Sequence, residues 1–196
     1  MRIIQIGASG TIGSAVYQLL SQQHEVLRAS RNGSELTVDM TSTASIRAMY
    51  DQAGRFDALV CTAGQARFGP LTELSDDDFA FCLANKLMGQ VNLVRIGRDH
   101  VADDGSFTLT SGVLAQQPMP GSSAISLVNA GVEGFVRAAA LEMDRGIRVN
   151  VVSPPWVRET LKQMGRDPLP GMPAAHVAKA YQKSVEETAS GEVISP

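Results

Sequence analysis

Residues 2–13 read Arg-Ile-Ile-Gln-Ile-Gly-Ala-Ser-Gly-Thr-Ile-Gly, an apolar run followed at once by glycines at intervals of three. The run Arg2–Ile6 predicts a strand, and the residues from Thr11 to about Gln22 predict a helix. A phosphate group needs close backbone approach, several free N–H donors and the positive end of a helix dipole. A strand, glycine turn and helix in that order supply all three. Gly7 makes the turn, Gly10 admits the ligand, and Gly13 lets helix and strand pack closely. Ser9 and Thr11 add hydroxyl donors beside Ile12. A tight strand-to-helix turn with no ligand is the plainer alternative.

Working outward, strand-like and helix-like segments alternate to the end of the chain. Further strands are expected at Glu25–Ala29, Glu35–Val38, Asp57–Cys61, Ser106–Thr110 and Ile147–Val152, with a short last one at Glu192–Ile194. Helices are expected from Ser45 to about Gln52, from Ser75 to about Asp99 and from Ile125 to about Asp144. Ser75 is a good N-cap, and Asp76–Asp77–Asp78 suit the positive helix end. Short apolar strands between helices imply a parallel sheet covered on both faces: an α/β, three-layer, doubly wound fold of the Rossmann type. At 196 residues it forms one domain, 1–196. Pro- and Gly-rich stretches at 118–121 and 165–173 read as loops at one end of the sheet, with a short substrate loop around 155–173. Such loops are where this architecture builds its site.

Two features beyond the turn fit a dinucleotide. The second strand ends Ala29–Ser30–Arg31, without the acidic residue that binds the ribose diol of NAD. Arg31 can instead hold a 2′-phosphate, which favours NADP over NAD; a solvated surface arginine is the competing reading. Val38–Asp39–Met40 ends the third strand, where the Asp39 carboxylate can reach the adenine amino group.

Bulk properties exclude other classes. Net charge is −3 and the 17 Lys and Arg residues are scattered, so nothing marks a nucleic-acid partner. No signal peptide is evident, and no apolar run is expected to span a bilayer. Cys61 and Cys82 sit in apolar segments and read as buried thiols of a cytoplasmic protein. His24, His100 and His176 show no metal-ligand spacing, so no metal site is expected.

The whole pattern resembles the short-chain dehydrogenase/reductase family. Val60–Cys61–Thr62–Ala63–Gly64 is similar to its Asn-Asn-Ala-Gly segment, with Thr62 in place of the second Asn. Gly69–Pro70–Leu71–Thr72–Glu73–Leu74–Ser75 resembles the lead into its fourth helix. Thr110–Ser111–Gly112 resembles the serine-bearing end of its fifth strand, and Ala130–Gly131–Val132–Glu133–Gly134–Phe135 its central helix. Arg148–Val149–Asn150–Val151–Val152–Ser153–Pro154–Pro155 is similar to its sixth strand and Pro-Gly corner, with Pro155 replacing Gly. The resemblance implies cofactor contacts from Thr62, Ala63, Gly64 and Pro154, a small-molecule substrate, and a homodimer or homotetramer.

It also exposes a break. The family works with an Asn, a Ser, a Tyr and a Lys four residues after the Tyr. A tyrosine near its ordinary pKa of about 10 needs a neighbouring cation to act at neutral pH. Ser111 carries over, but the Tyr position falls on Ile125 and the Lys position on Asn129. The Asn position falls on Lys86, with Asn85 one place early, as though amine and amide had exchanged helices. Lys86 either enters the pocket as an altered proton donor or is an exposed helix lysine. Trp156 either borders the nicotinamide or packs under the following loop. Arg67 and Arg158 either attract an anionic substrate or are solvated. Two functions follow: an NADP(H)-dependent oxidoreductase with an atypical site using Ser111, Lys86 and Asn129, or a catalytically silent NADP(H)-binding sensor or scaffold.

Overall fold

Strands β1 (Arg2–Ile6), β2 (Glu25–Ser30), β3 (Leu36–Thr37), β4 (Phe56–Cys61), β5 (Val101–Thr110), β6 (Arg148–Val152) and β7 (Val193–Ile194) form one sheet in the computed structural model, which describes residues 1–196. Their order is β3-β2-β1-β4-β5-β6-β7, and every pairing is parallel. The chain winds outward from β1 in one direction, then returns to place β4 against β1, with Ile3 opposite Ala58 and Ile6 opposite Cys61. Reversal of winding at that point opens a crevice at the carboxyl ends of the strands.

Both faces of the sheet are covered, so the central strands are apolar on both sides yet still alternate. Ile4, Ile6, Leu59 and Cys61 point into a core shared with Tyr50, Leu93 and Val132. Ile3, Ala58 and Val60 point into a second core with Val16, Val177 and Tyr181. The first face therefore carries helices α2 (Thr43–Ala53), α4 (Gly89–Gly97) and α5 (Ser123–Glu142), and the second carries α1 (Thr11–Leu20) and α7 (Ala174–Glu186). The single-domain, doubly wound reading stands.

The helix expected from Ser75 is built in three pieces: α3 (Asp76–Cys82), a π-helical turn at Leu83–Met88, and α4. Its start is a capping box, in which Ser75 Oγ accepts from the Asp78 N–H at 3.2 Å and the Asp78 carboxylate accepts from the Ser75 N–H at 3.0 Å. π-Helical turns gather at functional sites, and this one carries Lys86.

Three local expectations need correcting. β5 begins at Val101 rather than Ser106, because Val101 pairs with Phe56 before an irregularity that restores register at Ala58 opposite Ser106. The segment after Pro155 is more than a loop, since Arg158–Gln163 coils into a short helix, α6, and Val157 bridges Met172. Finally, α5 is long and apolar enough to cross a membrane by composition, with a mean hydropathy of 1.3. Here its Val128, Val132 and Val136 are buried inside the fold instead.

Candidate active site

At the carboxyl ends of β1 and β4 the glycine turn is held by packing. Gly7 has φ +87°, a conformation that disfavours any side chain, and a Cβ there would lie 2.9 Å from the Ala63 nitrogen. A Cβ on Gly13 would lie 1.9 Å from the Gly7 carbonyl oxygen, so helix and strand can meet only through glycine. Gly10 differs: a Cβ would make only ordinary contact at 3.5 Å, and its φ of −77° suits any residue. Nothing inside the protein demands glycine at position 10, which faces the open crevice. No side chain caps α1, and no backbone carbonyl accepts the Thr11 or Ile12 N–H groups.

The crevice divides into two connected spaces. The outer cleft, about 420 Å³, runs from the glycine turn past the ends of β2 and β3. It brings together Gly7, Ser9, Gly10, Ser30, Arg31, Asp39, Met40, Thr62, Ala63 and Gly64, and adds Asn32, Gln65 and Asn85. Ser30 shapes its loop, with Oγ 2.6 Å from the Asn32 carbonyl oxygen and 2.7 Å from Ser34 Oγ. Asp39 Oδ1 accepts from the Thr41 N–H at 2.9 Å and from its hydroxyl at 2.8 Å, which holds the carboxyl below the usual range with help from Arg31. Thr62 Oγ1 lies 3.0 Å from the Ile6 carbonyl oxygen and 3.2 Å from that of Gly7, tying the end of β4 to the turn. Thr11 lines neither space; its hydroxyl meets Gln163 Oε1 of α6 at 3.3 Å.

The inner cavity, about 240 Å³, shares Thr62, Ala63 and Gly64 with the cleft. It gathers Ile12, Lys86, Ser111, Ile125, Asn129, Pro154 and Trp156 from five parts of the chain. Lys86 is buried, not solvated, and Asn85 lies in the outer cleft instead. The Lys86 ammonium donates to the Ser111 carbonyl oxygen at 3.0 Å, its one hydrogen bond, leaving two N–H directions uncommitted. Burial pulls its pKa down to about 8, against smaller opposing effects of Cys61 and Cys82. Two residues thread it into place. Gly64, at φ +147°, passes so close that a Cβ would sit 3.0 Å from Lys86 Cγ. The fully buried Gln90 donates to the carbonyl oxygens of Lys86 at 3.1 Å and Thr110 at 2.9 Å, while accepting from the Thr110 N–H at 2.8 Å.

Asn129 donates to the Gly112 carbonyl oxygen at 3.4 Å, and its buried Oδ1 has no partner. That orphaned acceptor, beside a cavity, suits a hydroxyl-bearing ligand. Ser111 donates its hydroxyl to Glu133 Oε1 at 2.8 Å. Glu133 and Gln90 are missing from the sequence-based site. Both had the same signal, since Glu133 lies four residues after Asn129 and Gln90 four after Lys86, each on the same helix face as its neighbour. No tyrosine lines the cavity: Tyr181 is buried behind it, with its hydroxyl 2.6 Å from Thr110 Oγ1, and burial raises its pKa.

Trp156 both lines the cavity and lies under Arg166, whose guanidinium is 5.8 Å from the ring centroid. Arg67 and Arg158 line neither space. Arg67 pairs with Asp78 at 3.5 Å and covers Phe81, and Arg158 donates to the Gly171 carbonyl oxygen at 3.3 Å. No cluster of metal-ligating side chains occurs.

A family model described as enoyl-(acyl carrier protein) reductase matches residues 11–193. The chain belongs to the short-chain dehydrogenase/reductase family. Among solved structures, this member is similar to the protein lin1944 from Listeria innocua, at 42% identity over 100% of this chain and 98% of that one, with a TM-score of 0.95. A small-chain dehydrogenase in complex with NADPH is 25% identical over 100% and 96% of the two chains, with a TM-score of 0.87. Oxidoreductase UcpA of Escherichia coli strain K12 is 32% identical over 61% of this chain and 47% of its own length. The chain spans about half the length of such curated relatives.

Proposed function

We propose that this protein is an NADP(H)-dependent oxidoreductase acting on a small carbonyl or alcohol compound, with Lys86, Ser111 and Asn129 as its working side chains. One observation carries the reading: a buried ammonium hangs from the Ser111 carbonyl inside a cavity that shares three residues with the outer cleft.

The residues present fit the dinucleotide. Gly7, Ser9 and Gly10 of the turn, with the free N–H of Ile12 at the start of α1, receive the pyrophosphate. Arg31 receives a 2′-phosphate, and the NADPH complex of a structural neighbour supports that choice over NAD. Asp39 meets the adenine, and the orphaned Asn129 Oδ1 accepts from a ribose hydroxyl. Bound there, the dinucleotide supplies or removes hydride. Lys86 points its uncommitted N–H groups at the substrate oxygen and stabilises the negative charge that develops on it. Val113, Leu114, Ile125 and Trp156 exclude water, which strengthens that charge interaction. Enones and quinones ask least of the acid and suit this set best.

The segment 155–173 acts as the substrate loop, with α6 as its rigid part. A homodimer or homotetramer and a cytoplasmic setting complete the reading, the latter supported by two buried free thiols. A second reading, a silent NADP(H) sensor or scaffold, is favoured by Ile125 standing at the phenol position. NADPH titration followed by an NADPH-oxidation screen over aldehydes, ketones, enones and quinones separates them. Turnover that Lys86→Ala and Ser111→Ala reduce supports the enzyme, whereas tight binding with no turnover selects the sensor.

A further inference from the structure

Glu133 is buried on α5 between Val132 and Val136, and its side chain is 4% exposed. A carboxylate there is costly unless donors satisfy it, and an aliphatic residue would pack without that cost. Two hydrogen bonds and one ion pair satisfy it. Ser111 Oγ donates to Oε1 at 2.8 Å, Gln116 Nε2 donates to Oε2, and an Arg137 nitrogen lies 3.6 Å from Oε2. The Arg137 side chain is 57% exposed. Glu133 thus connects a hydroxyl in the cavity wall to the protein surface.

The arrangement constrains Ser111. A serine hydroxyl has one proton, and this one is given to Glu133, so only lone pairs remain for the cavity. The carboxylate form of Glu133, held by these partners, receives the Ser111 proton when an alcohol is oxidised; in reduction Ser111 can donate to a substrate oxygen only after Glu133 has taken up a proton from solvent and can return it. We propose that Ser111 and Glu133 form a proton relay that substitutes for the absent tyrosine, an inference that rests on the oxidoreductase reading. In the reducing direction, hydride from the reduced nicotinamide dinucleotide forms a C–H bond, and the C=O π pair becomes a lone pair on oxygen. The Ser111 O–H bond breaks as its proton bonds that oxygen, and the Glu133 O–H bond breaks as its proton restores the serine. Glu133 is left as the carboxylate and takes up a further proton from the bulk solvent at the Gln116–Arg137 edge before the next reduction, the same proton the overall reaction consumes. Oxidation of an alcohol runs the same steps backwards. Lys86 supplies charge and Ser111–Glu133 supplies the proton, with Glu133 acting only through Ser111 as a positioning residue.

The test uses the full chain with NADPH and whichever carbonyl compound the wild type reduces best. Glu133→Gln keeps an acceptor oxygen for the Ser111 hydroxyl but has no proton to return. The relay predicts a rate loss of about 100-fold in Glu133→Gln. NADPH affinity should stay within about threefold, so the loss is one of chemistry. The solvent deuterium isotope effect of the wild type should shrink in Glu133→Gln. Glu133→Asp, which retains a carboxyl, should recover most of the rate, and Ser111→Ala with Glu133→Gln should be no slower than the slower single variant. A wild type that turns over nothing removes the oxidoreductase reading and the relay with it. An active wild type matched by Glu133→Gln, or a Glu133→Asp as slow as Glu133→Gln, removes the relay and leaves the reading standing.

Discussion

The outer cleft and the inner cavity meet at Thr62, Ala63 and Gly64, yet they are made of different material. The cleft takes its floor from backbone, a left-handed Gly7 and a Gly10 with room beside it, and adds side chains such as Arg31 and Asp39 at its rim. The cavity is made of side chains that converge from β5, the π-helical turn, α5 and the segment after β6, and its Lys86, Ser111 and Asn129 are buried. A backbone site tolerates change in most side chains but not in its glycines. A side-chain site can exchange its groups between elements, provided that each buried charge or amide still finds a partner. On the proposed reading, that difference is how a chain keeps the cofactor half of a family site while its reacting half reads Lys86, Ser111, Ile125 and Asn129.

The largest expected effect separates two glycines of the same turn. Gly13→Ala drives a Cβ into the Gly7 carbonyl, and loss of several kcal/mol of stability is expected, read as failure to give a cooperative melt. Next comes the cavity. Lys86→Met should cut reductase turnover by about 1,000-fold while leaving NADPH affinity nearly unchanged, as expected of charge acting on the transition state. A cofactor affinity that falls in step with turnover would dissolve the division between the two spaces.

Gly10→Ala, by contrast with Gly13→Ala, should fold normally and lose about 100-fold in NADPH affinity, because its Cβ intrudes on the ligand and not on the protein. Arg31→Ala should weaken NADPH by about tenfold and leave NADH unaffected, as measured by fluorescence titration. An equal loss for both would place Arg31 outside the 2′-phosphate site.

The smallest effect is on pH. Reduction that depends on the Lys86 ammonium should decline as pH rises through about 8. Stability moves the other way. The folded pKa lies below the unfolded value of 10.5, so the unfolded chain binds more protons between about 8 and 10.5 and stability rises across that window. Lys86→Met should abolish both trends, as pH-dependent denaturant melts and rate profiles would check.

Parts of this were legible in one dimension because they depend on local rules. Gly7, Gly10 and Gly13 announce themselves by spacing, and Ser75 with Asp78 by capping chemistry. The paired strands keep a period of two under a nearly continuous apolar run. Glu133 was less legible, because a carboxylate on a helix gives the same one-letter signal whether it faces water or Ser111. The π-helical turn at Leu83–Met88 left no trace either, since its hydrogen bonds are set by what the helix packs against.

By itself the sequence determined the doubly wound sheet, the dinucleotide cleft and the absence of tyrosine and lysine at their usual spacing, all of which follow from periodicity, glycine stereochemistry and residue identity. The tertiary structure alone decided that Lys86 lies inside rather than in solvent, that Asn129 keeps an unpaired acceptor, and that the Ser111 proton belongs to Glu133. Burial and hydrogen-bond partnership are properties of elements brought together across the fold, and no window of sequence contains them.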